Sequence, residues 1–541
     1  SRRSLERNLM CAAMACARMA VANMDVSLSE RGARIAWAVV AAIAIGWQLG
    51  GYPLLDADEG RNGEVGREMA ATNDYVMPRL DGLPYLDKPI VYFAAEAATM
   101  EVAGPTEFAA RFPSWLFTIA TAVLLMWFAK REQLDAPLVA IVFLSMPLTI
   151  AFARTVIFDS ALSFFITLAL IAFYLERPRL AWAAMAFGVI TKGPVAIAVP
   201  LLVAIPYAIW RKNLRHMASM AALVVFVLII APWVWAVSRE IPDFLHYVLV
   251  TETAQRLTTG ALKRTGPPWY FIPYLIGGAF PWVLALFGKR QTANGEPNWL
   301  DRYLILWIAV PFIFFSISQS KRPQYILPLM APIALYVARR SDPGRAAAIA
   351  MAIFGALLLG ATPFVHLPYG RDAAIVIGIC ALIFGIIAVF ARGSIAWIAL
   401  SIPMLAIPIA TTSTMNQIAL RRSAKELVAQ MRPYVNPETE VVGIEAFTGS
   451  MAFYLQRPIV IVTPDAEELT SNYINRHYGA FATNPGSTIR PMSWLPVAFD
   501  RRRPRLIIVR DSDHKNRTIV EQHGGRLVAT GAHFVTYTMP R

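Results

Sequence analysis

Residues 35–69 read IAWAVVAAIAIGWQLGGYPLLDADEGRNGEVGREM. No charge occurs from Ile35 to Leu55, and directly afterwards Asp56, Asp58, Glu59, Glu64 and Glu68 crowd together. An uncharged run of about 20 residues crosses roughly 30 Å of hydrocarbon as a helix. The junction therefore sets a nest of carboxylates at the mouth of a first membrane span.

The rest of the chain repeats the apolar half of that pattern. Of 541 residues, 56% are hydrophobic and 16% charged, whereas a soluble domain carries about a quarter charged. Apolar runs fall near 35–55, 112–129, 136–153, 159–175, 180–191, 195–210, 218–237, 269–287, 303–317, 325–338, 346–366, 373–391 and 394–412. This pattern is that of a polytopic α-helical membrane protein with about thirteen transmembrane helices, several shorter than the ideal length.

The net charge of +14 would suggest nucleic acid in a soluble protein. Here much of it sits in short loops: Lys130/Arg131, Arg177/Arg179, Arg211/Lys212/Arg215, Lys289/Arg290 and Arg339/Arg340/Arg345. All fall on one side, which the positive-inside rule makes cytoplasmic, and no nucleic-acid partner is expected. Residues 1–34, rich in Arg, Met and Ala, are expected to form a basic cytoplasmic leader. An odd span count sends residues 414–541 to the opposite face, together with loops 56–108 and 238–267. The C-terminal piece reads as a small extracytoplasmic α/β domain: "LRRSAKELVAQMRPYV" is helical, while "EVVGIEAF", "RPIVIVTP" and "RPRLIIVRD" are short β-branched runs bounded by turn residues.

Chemistry-bearing residues collect on that outer face. Asp58 and Glu59 open an expected amphipathic helix lying on the membrane surface, where unpaired N–H groups favour negative charge. Glu64 and Glu68 share a face that can meet water. "YLDKP" sets Asp87 and Lys88 where the chain returns to apolar surface, and "FARTVIFDS" brackets a join between spans with Arg154 and Asp159. Lys192 of "TKGPVAI", Glu252 and Arg256 of "TETAQR", and Lys321, Arg322 and Tyr325 of "SKRPQY" lie at the same level. Singly, each could cap a helix, pair with a neighbour or snorkel. Together, cations suit a phosphate and acids suit deprotonation of a nucleophile or a metal.

The motifs "DADEGRNGEVGREM", "YLDKP", "FDSALSFFITLAL", "TKGPVAIAVPLL", "KRPQYILPLMAPIAL" and "MAFYLQRP" occur in one order over roughly residues 35–460. In this the chain resembles the aminoarabinose lipid A transferases and their protein-mannosyltransferase-like relatives, which are GT-C glycosyltransferases. The resemblance implies a sugar taken from a polyprenyl (undecaprenyl) phosphate carrier with inversion and given to an envelope acceptor, foremost lipid A, at the periplasmic face of a bacterial inner membrane. It implies that Asp58 is the acceptor-activating carboxylate, with Asp159 a second acidic position and Glu59 beside it in the catalytic set. Lys88 and Arg256 resemble the cations that hold the carrier phosphate, and Tyr325 with Lys321 the loop over the donor cavity. Arg61 and Lys192 complete the expected binding set. Relatives read Glu-Lys-Pro where this chain has Asp87-Lys88-Pro89, and Glu-His where it has Glu252-Thr253. A divalent metal at Asp87 and Glu252 is thus an expectation tied to two departures from the pattern.

Two other readings compete. A protein or another glycan could be the acceptor. A multispan transporter of lipid or solute would place ionisable residues at mid-bilayer in broken helices, whereas these lie at span ends.

Overall fold

The computed structural model describes residues 30–248, 266–287, 299–340, 342–500 and 503–539. Helix α1 covers 30–46, and α2 (Asp58–Thr72), a small hairpin of β1 (Arg79–Leu80) and β2 (Leu83–Pro84), and α3 (Val91–Ala103) follow before the chain re-enters the bundle as α4 (Glu107–Arg131). The next spans are α5 (Ala136–Leu144) with α6 (Pro147–Ala153), α7 (Asp159–Tyr174), α8 (Pro178–Lys192), α9 (Val195–Trp210) and α10 (Met220–Glu240). After them come α11 (Phe271–Gly278), α12 (Trp299–Ile317), α13 (Met330–Val337), α14 (Arg345–Ala361), α15 (Gly370–Phe390) and α16 (Gly393–Ala410). Each expected span thus meets helix. Among the described residues, six helices are long and apolar enough to cross alone, or seven counting α5 with α6.

The remainder are short or broken. Helices α7 and α9 have 16 residues each. The run expected as one span over 136–153 bends by 72° between α5 and α6, where Pro147 ends one helical register and starts another. The 269–287 run is likewise split, with α11 stopping before Pro281 and a short turn resuming at Trp282–Ala285.

Two sets of polar contacts mark the two ends of the bundle. At one end Arg34 pairs with Asp135, Tyr174 donates to Glu132 (3.2 Å), Asn213 to Glu176 (2.8 Å), and Arg339 to Asp301 (2.6 Å). The basic loops after α4, α7, α9 and α13 therefore share one end. Lys289 and Arg290 lie outside the described residues, as do residues 1–29 of the expected leader. At the other end Arg154 donates to the carbonyls of Ile45 (2.9 Å) and Trp47 (2.7 Å), and Asn416 to that of Gly51 (2.9 Å). Arg154 does not pair with Asp159; it serves the carbonyls that the end of α1 leaves open.

The C-terminal α/β domain sits over this second end. Helices α17 (Thr412–Arg422) and α18 (Lys425–Met431) lead into a six-stranded sheet of order β5-β4-β3-β6-β8-β7. Its strands are β3 (Glu440–Ile444), β4 (Val460–Val462), β5 (Ile489–Arg490), β6 (Arg505–Arg510), β7 (Arg526–Thr530) and β8 (Phe534–Met539). β3 pairs parallel with both β4 and β6, and β8 antiparallel with β6. Helix α19 (Gly449–Leu455) connects β3 to β4, and α20 (His514–Gln522) follows β6.

The α2 helix is not a surface helix. It is sandwiched between α3 and α19, with Glu59, Asn62, Glu64, Val65, Glu68 and Met69 all buried. Glu64, expected to meet water, is 1% exposed and bonds Arg67 (2.6 Å). Glu68 takes the N–H of Gly82 (3.1 Å). Burial pushes both carboxyls upward. In the hairpin, Asp81 accepts from the N–H of Ile459 (2.9 Å), and burial pushes its carboxyl up to about 8.

Where α2 crosses α19 the backbones nearly touch. A Cβ on Gly60 would lie 2.4 Å from the nitrogen of Ser450, and one on Gly449 would lie 2.2 Å from the nitrogen of Arg61. Asp56, just before α2, accepts from the N–H of Ser450 (3.0 Å) and from its hydroxyl. This crossing fixes the C-terminal domain on the start of α2. Gly449→Ala is expected to destabilise the protein by about 1–3 kcal/mol through overpacking against backbone that cannot yield. Gly479→Ala, where nothing lies within 4 Å, should be near neutral. Thermal unfolding in detergent, with limited proteolysis of the C-terminal domain, measures both; equal melting of the two variants would contradict the crossing.

Candidate active site

A cavity of about 330 Å³ opens where the ends of α7, α8 and α12 beneath the C-terminal domain meet α2 and the loop before α3. Asp58, Arg61, Asp87, Lys88, Asp159, Lys192 and Tyr325 all line it, so seven of the expected residues converge. Asp58 and Glu59 are the first two residues of α2, where free N–H groups welcome acids.

Asp58 lies between two guanidiniums. Arg61, one helical turn on, donates to Oδ1 (2.7 Å), and Arg322 donates to Oδ2 (2.9 Å). Burial alone would push the Asp58 carboxyl up; Arg61 and Arg322 outweigh it and hold the group below its ordinary value. Arg61 also reaches the C-terminal domain, donating to the hydroxyl (3.0 Å) and carbonyl (3.3 Å) of Thr470. Asp159 begins α7 and pairs with Lys192 at the end of α8. The Lys192 ammonium sits 5.2 Å from the centroid of the Tyr325 ring.

Two expected residues, Glu59 and Lys321, have other positions, and a third, Asp87, lines the cavity already bonded. Glu59 points away from the cavity and forms a buried ion pair with Arg111 (2.7 Å), while also accepting from the N–H groups of Leu55 (3.0 Å) and Val156 (3.1 Å). This carboxylate anchors the start of α2 to α4 and the α6–α7 join. Lys321 turns back to cap α12, donating to the carbonyls of Ser316 (2.6 Å) and Ser318 (2.7 Å); its neighbour Arg322 lines the cavity instead. Asp87 lines the cavity with its oxygens already taken. Oδ1 accepts from Tyr247 (3.0 Å) and the N–H of Tyr473 (3.0 Å), and Oδ2 from the N–H of Asn472 (2.9 Å). Those donors are all neutral, and among the described residues no group of three or more His, Cys, Asp or Glu converges. Glu252 and Arg256 lie outside the described residues.

Beyond the expected set, Asn62, Arg322, Gln324, Thr470 and Asn472 line the cavity. Arg322 carried a signal, since it stands next to Lys321 in the same motif. Thr470 and Asn472 come from the C-terminal domain and carried none.

A profile of the family described as dolichyl-phosphate-mannose-protein mannosyltransferase matches residues 35–248. The undecaprenyl phosphate-α-4-amino-4-deoxy-L-arabinose arabinosyl transferase of Serratia proteamaculans is 32% identical over 405 residues, covering 65% of this chain and 72% of its own. The chain belongs to this arabinosyl transferase family. The enzyme of that name from Aeromonas salmonicida is 32% identical over 309 residues, and there the match spans 56% of the relative's length. The crystal structure of ArnT from Cupriavidus metallidurans bound to undecaprenyl phosphate superposes with a TM-score of 0.80 at 23% identity, covering 94% of this chain and 98% of that one. The chain shares its fold: a multi-pass helical membrane protein of GT-C type with a small C-terminal domain.

Glu59→Gln tests the division of labour inside the acidic pair. Removing one partner of a buried ion pair costs about 3–5 kcal/mol, so this variant is expected to unfold at markedly lower temperature in detergent. A variant as stable as the parent but inactive would return Glu59 to the chemistry.

Proposed function

We propose that this chain is an inverting glycosyltransferase that moves a sugar of the aminoarabinose type from undecaprenyl phosphate to lipid A, at the periplasmic face of a bacterial inner membrane. One observation carries the reading. Lys88 and Lys192 line the cavity that holds Asp58, Arg61 and Arg322 and also an adjoining apolar groove of about 420 Å³ walled by Leu86, Val189, Ile190, Phe226 and Val227. Two cations at the joint between a cavity carrying charged side chains and a greasy groove match a lipid phosphate, with its head in one and its tail in the other. A transporter reading gains no support here, because the described ionisable residues of the site gather at one end of the bundle.

In the reaction an acceptor oxygen attacks the anomeric carbon from the face opposite the carrier. The bond from that carbon to the phosphate oxygen breaks, and its electron pair leaves on the phosphate, which gains one negative charge. Lys88 and Lys192 meet that charge as it develops, so they bind the transition state more strongly than the ground state. Asp58, held ionised by Arg61 and Arg322, is a weak base. Such a site suits an acceptor that arrives already ionised, as a lipid A phosphate does, because no proton then has to move. Arg61 and Arg322 present guanidinium forks for that phosphate, and Asp58 positions both.

The test is mass spectrometry of envelope lipids from cells carrying the parent chain, Asp58→Asn or Lys88→Ala at equal membrane levels. The parent should add the mass of one amino sugar to lipid A. Asp58→Asn should nearly abolish the addition, and Lys88→Ala should slow it about 10²–10³-fold, the scale for losing one fixed donor at a developing charge. Unchanged transfer by Lys88→Ala would remove the carrier phosphate from that position. A sugar appearing on protein rather than lipid would replace the acceptor.

A further inference from the structure

The C-terminal sheet reverses its winding once. β3 leads through α19 to β4 and on to β5, and the chain then returns to lay β6 parallel along the other edge of β3. In doubly wound sheets, ligands bind in the crevice outside the carboxyl ends of the strands at such a switch point. Here that crevice is a cavity of about 550 Å³. The loops leaving β3, β4 and β6 line it, together with Asp56 and Ala57 just ahead of Asp58.

The chemistry of its walls is specific. At the start of α19, the N–H and hydroxyl of Ser450 are already bonded to the carboxylate of Asp56, so that position is closed to a phosphate. The anion-binding capacity left in the cavity lies elsewhere. Exposed Arg510 donates Nε to the carbonyl of Glu445 (2.9 Å), and His514 and His533 line the same space. Three further acids, Glu467, Glu468 and Asp511, also line it; Asp511 is taken by Arg517 (2.7 Å), which lines the cavity as well, so Glu467 and Glu468 are left, and Phe534 adds an aromatic wall. Cations alone would fit any anion. Cations together with carboxylates and a ring fit a ligand carrying a phosphate, an ammonium and a sugar face.

We propose that this switch-point cavity is a second ligand site, specific for a phosphorylated amino sugar. The phosphate is held by Arg510 with His514 and His533, and the ammonium by Glu467 and Glu468. The site lies one residue from the transfer cavity, since Thr470 lines both and takes a hydrogen bond from Arg61 (3.0 Å). The proposal goes beyond the transferase reading and needs no chemistry at Asp58, so binding can be read without turnover. The same ligand chemistry comes from two sources, a free sugar phosphate or the headgroup of a glycolipid.

The experiment is isothermal titration of the full chain in detergent with glucosamine 1-phosphate. Glucose 1-phosphate and glucosamine, which each lack one charge, serve as comparators. Each comparator, and the parent probe on Arg510→Gln, should bind about tenfold more weakly, the loss of one charge-assisted contact. Glu467→Gln, a change at an exposed position, should weaken glucosamine 1-phosphate but not glucose 1-phosphate, and it serves if Arg510→Gln misfolds. Competition by a glycolipid with a phosphorylated glucosamine headgroup in mixed micelles separates the sources. Displacement of the probe at lower concentration than the free sugar phosphate assigns the lipid, and the reverse order assigns the soluble ligand. The proposal is overturned if glucosamine 1-phosphate fails to bind at millimolar concentration. It is equally overturned if binding is unchanged by Arg510→Gln or Glu467→Gln, which would put the ligand elsewhere.

Discussion

The carboxylate of Asp58 accepts one hydrogen bond from Arg61 on its own helix and one from Arg322 beyond α12. These bonds tie α2 to the segment after α12 across the mouth of the cavity. They also decide the protonation state of the group. Burial by itself would favour the neutral acid, but two guanidiniums reverse that preference and leave Asp58 ionised. An ionised carboxylate with a lowered affinity for protons is a poor base and a good positioner of cations. On the proposed function, what the site does follows from that single choice: it orients two arginines toward an anionic acceptor and leaves the leaving group to Lys88 and Lys192.

Holding Asp58 there requires the start of α2 to be rigid, and three separate devices supply that. The buried Glu59–Arg111 pair fastens the helix to α4. The Gly60–Gly449 crossing lets the C-terminal domain approach within backbone contact. Asp56 is seized by Ser450 across that same crossing. The C-terminal domain therefore supports the start of α2 and lines part of the cavity, and its Thr470 contributes directly to the orientation of Arg61.

The sequence made the membrane architecture legible because hydropathy acts over whole spans, and small local breaks such as that before Pro147 do not disturb the count. Motifs at span ends located Asp58, Lys88, Asp159 and Lys192 for the same reason: charge next to an apolar run has few places to go. Choices between neighbours were not legible. Asp58 and Glu59 both sit in the first turn of α2, and only tertiary packing sends one to the cavity and the other to Arg111. Lys321 and Arg322 are likewise adjacent, and the way α12 ends turns the lysine back to its carbonyls. Glu64 and Glu68 looked solvent-facing because α2 was read without the domain that covers it. Thr470 is 409 residues from Arg61, and no local pattern connects the two.

The central claim is that Asp58 serves an acceptor that is already ionised. Purified chain, supplied with an undecaprenyl-phosphate-linked amino sugar, can be offered lipid A and the same lipid with its phosphates removed, with products read by mass spectrometry. The account predicts that sugar appears on phosphate in the first case and that the dephosphorylated lipid, which retains its hydroxyls, receives none. Comparable transfer to the dephosphorylated lipid would mean that a hydroxyl is deprotonated in this site, and would contradict the assignment of Asp58 as a positioning group rather than a base.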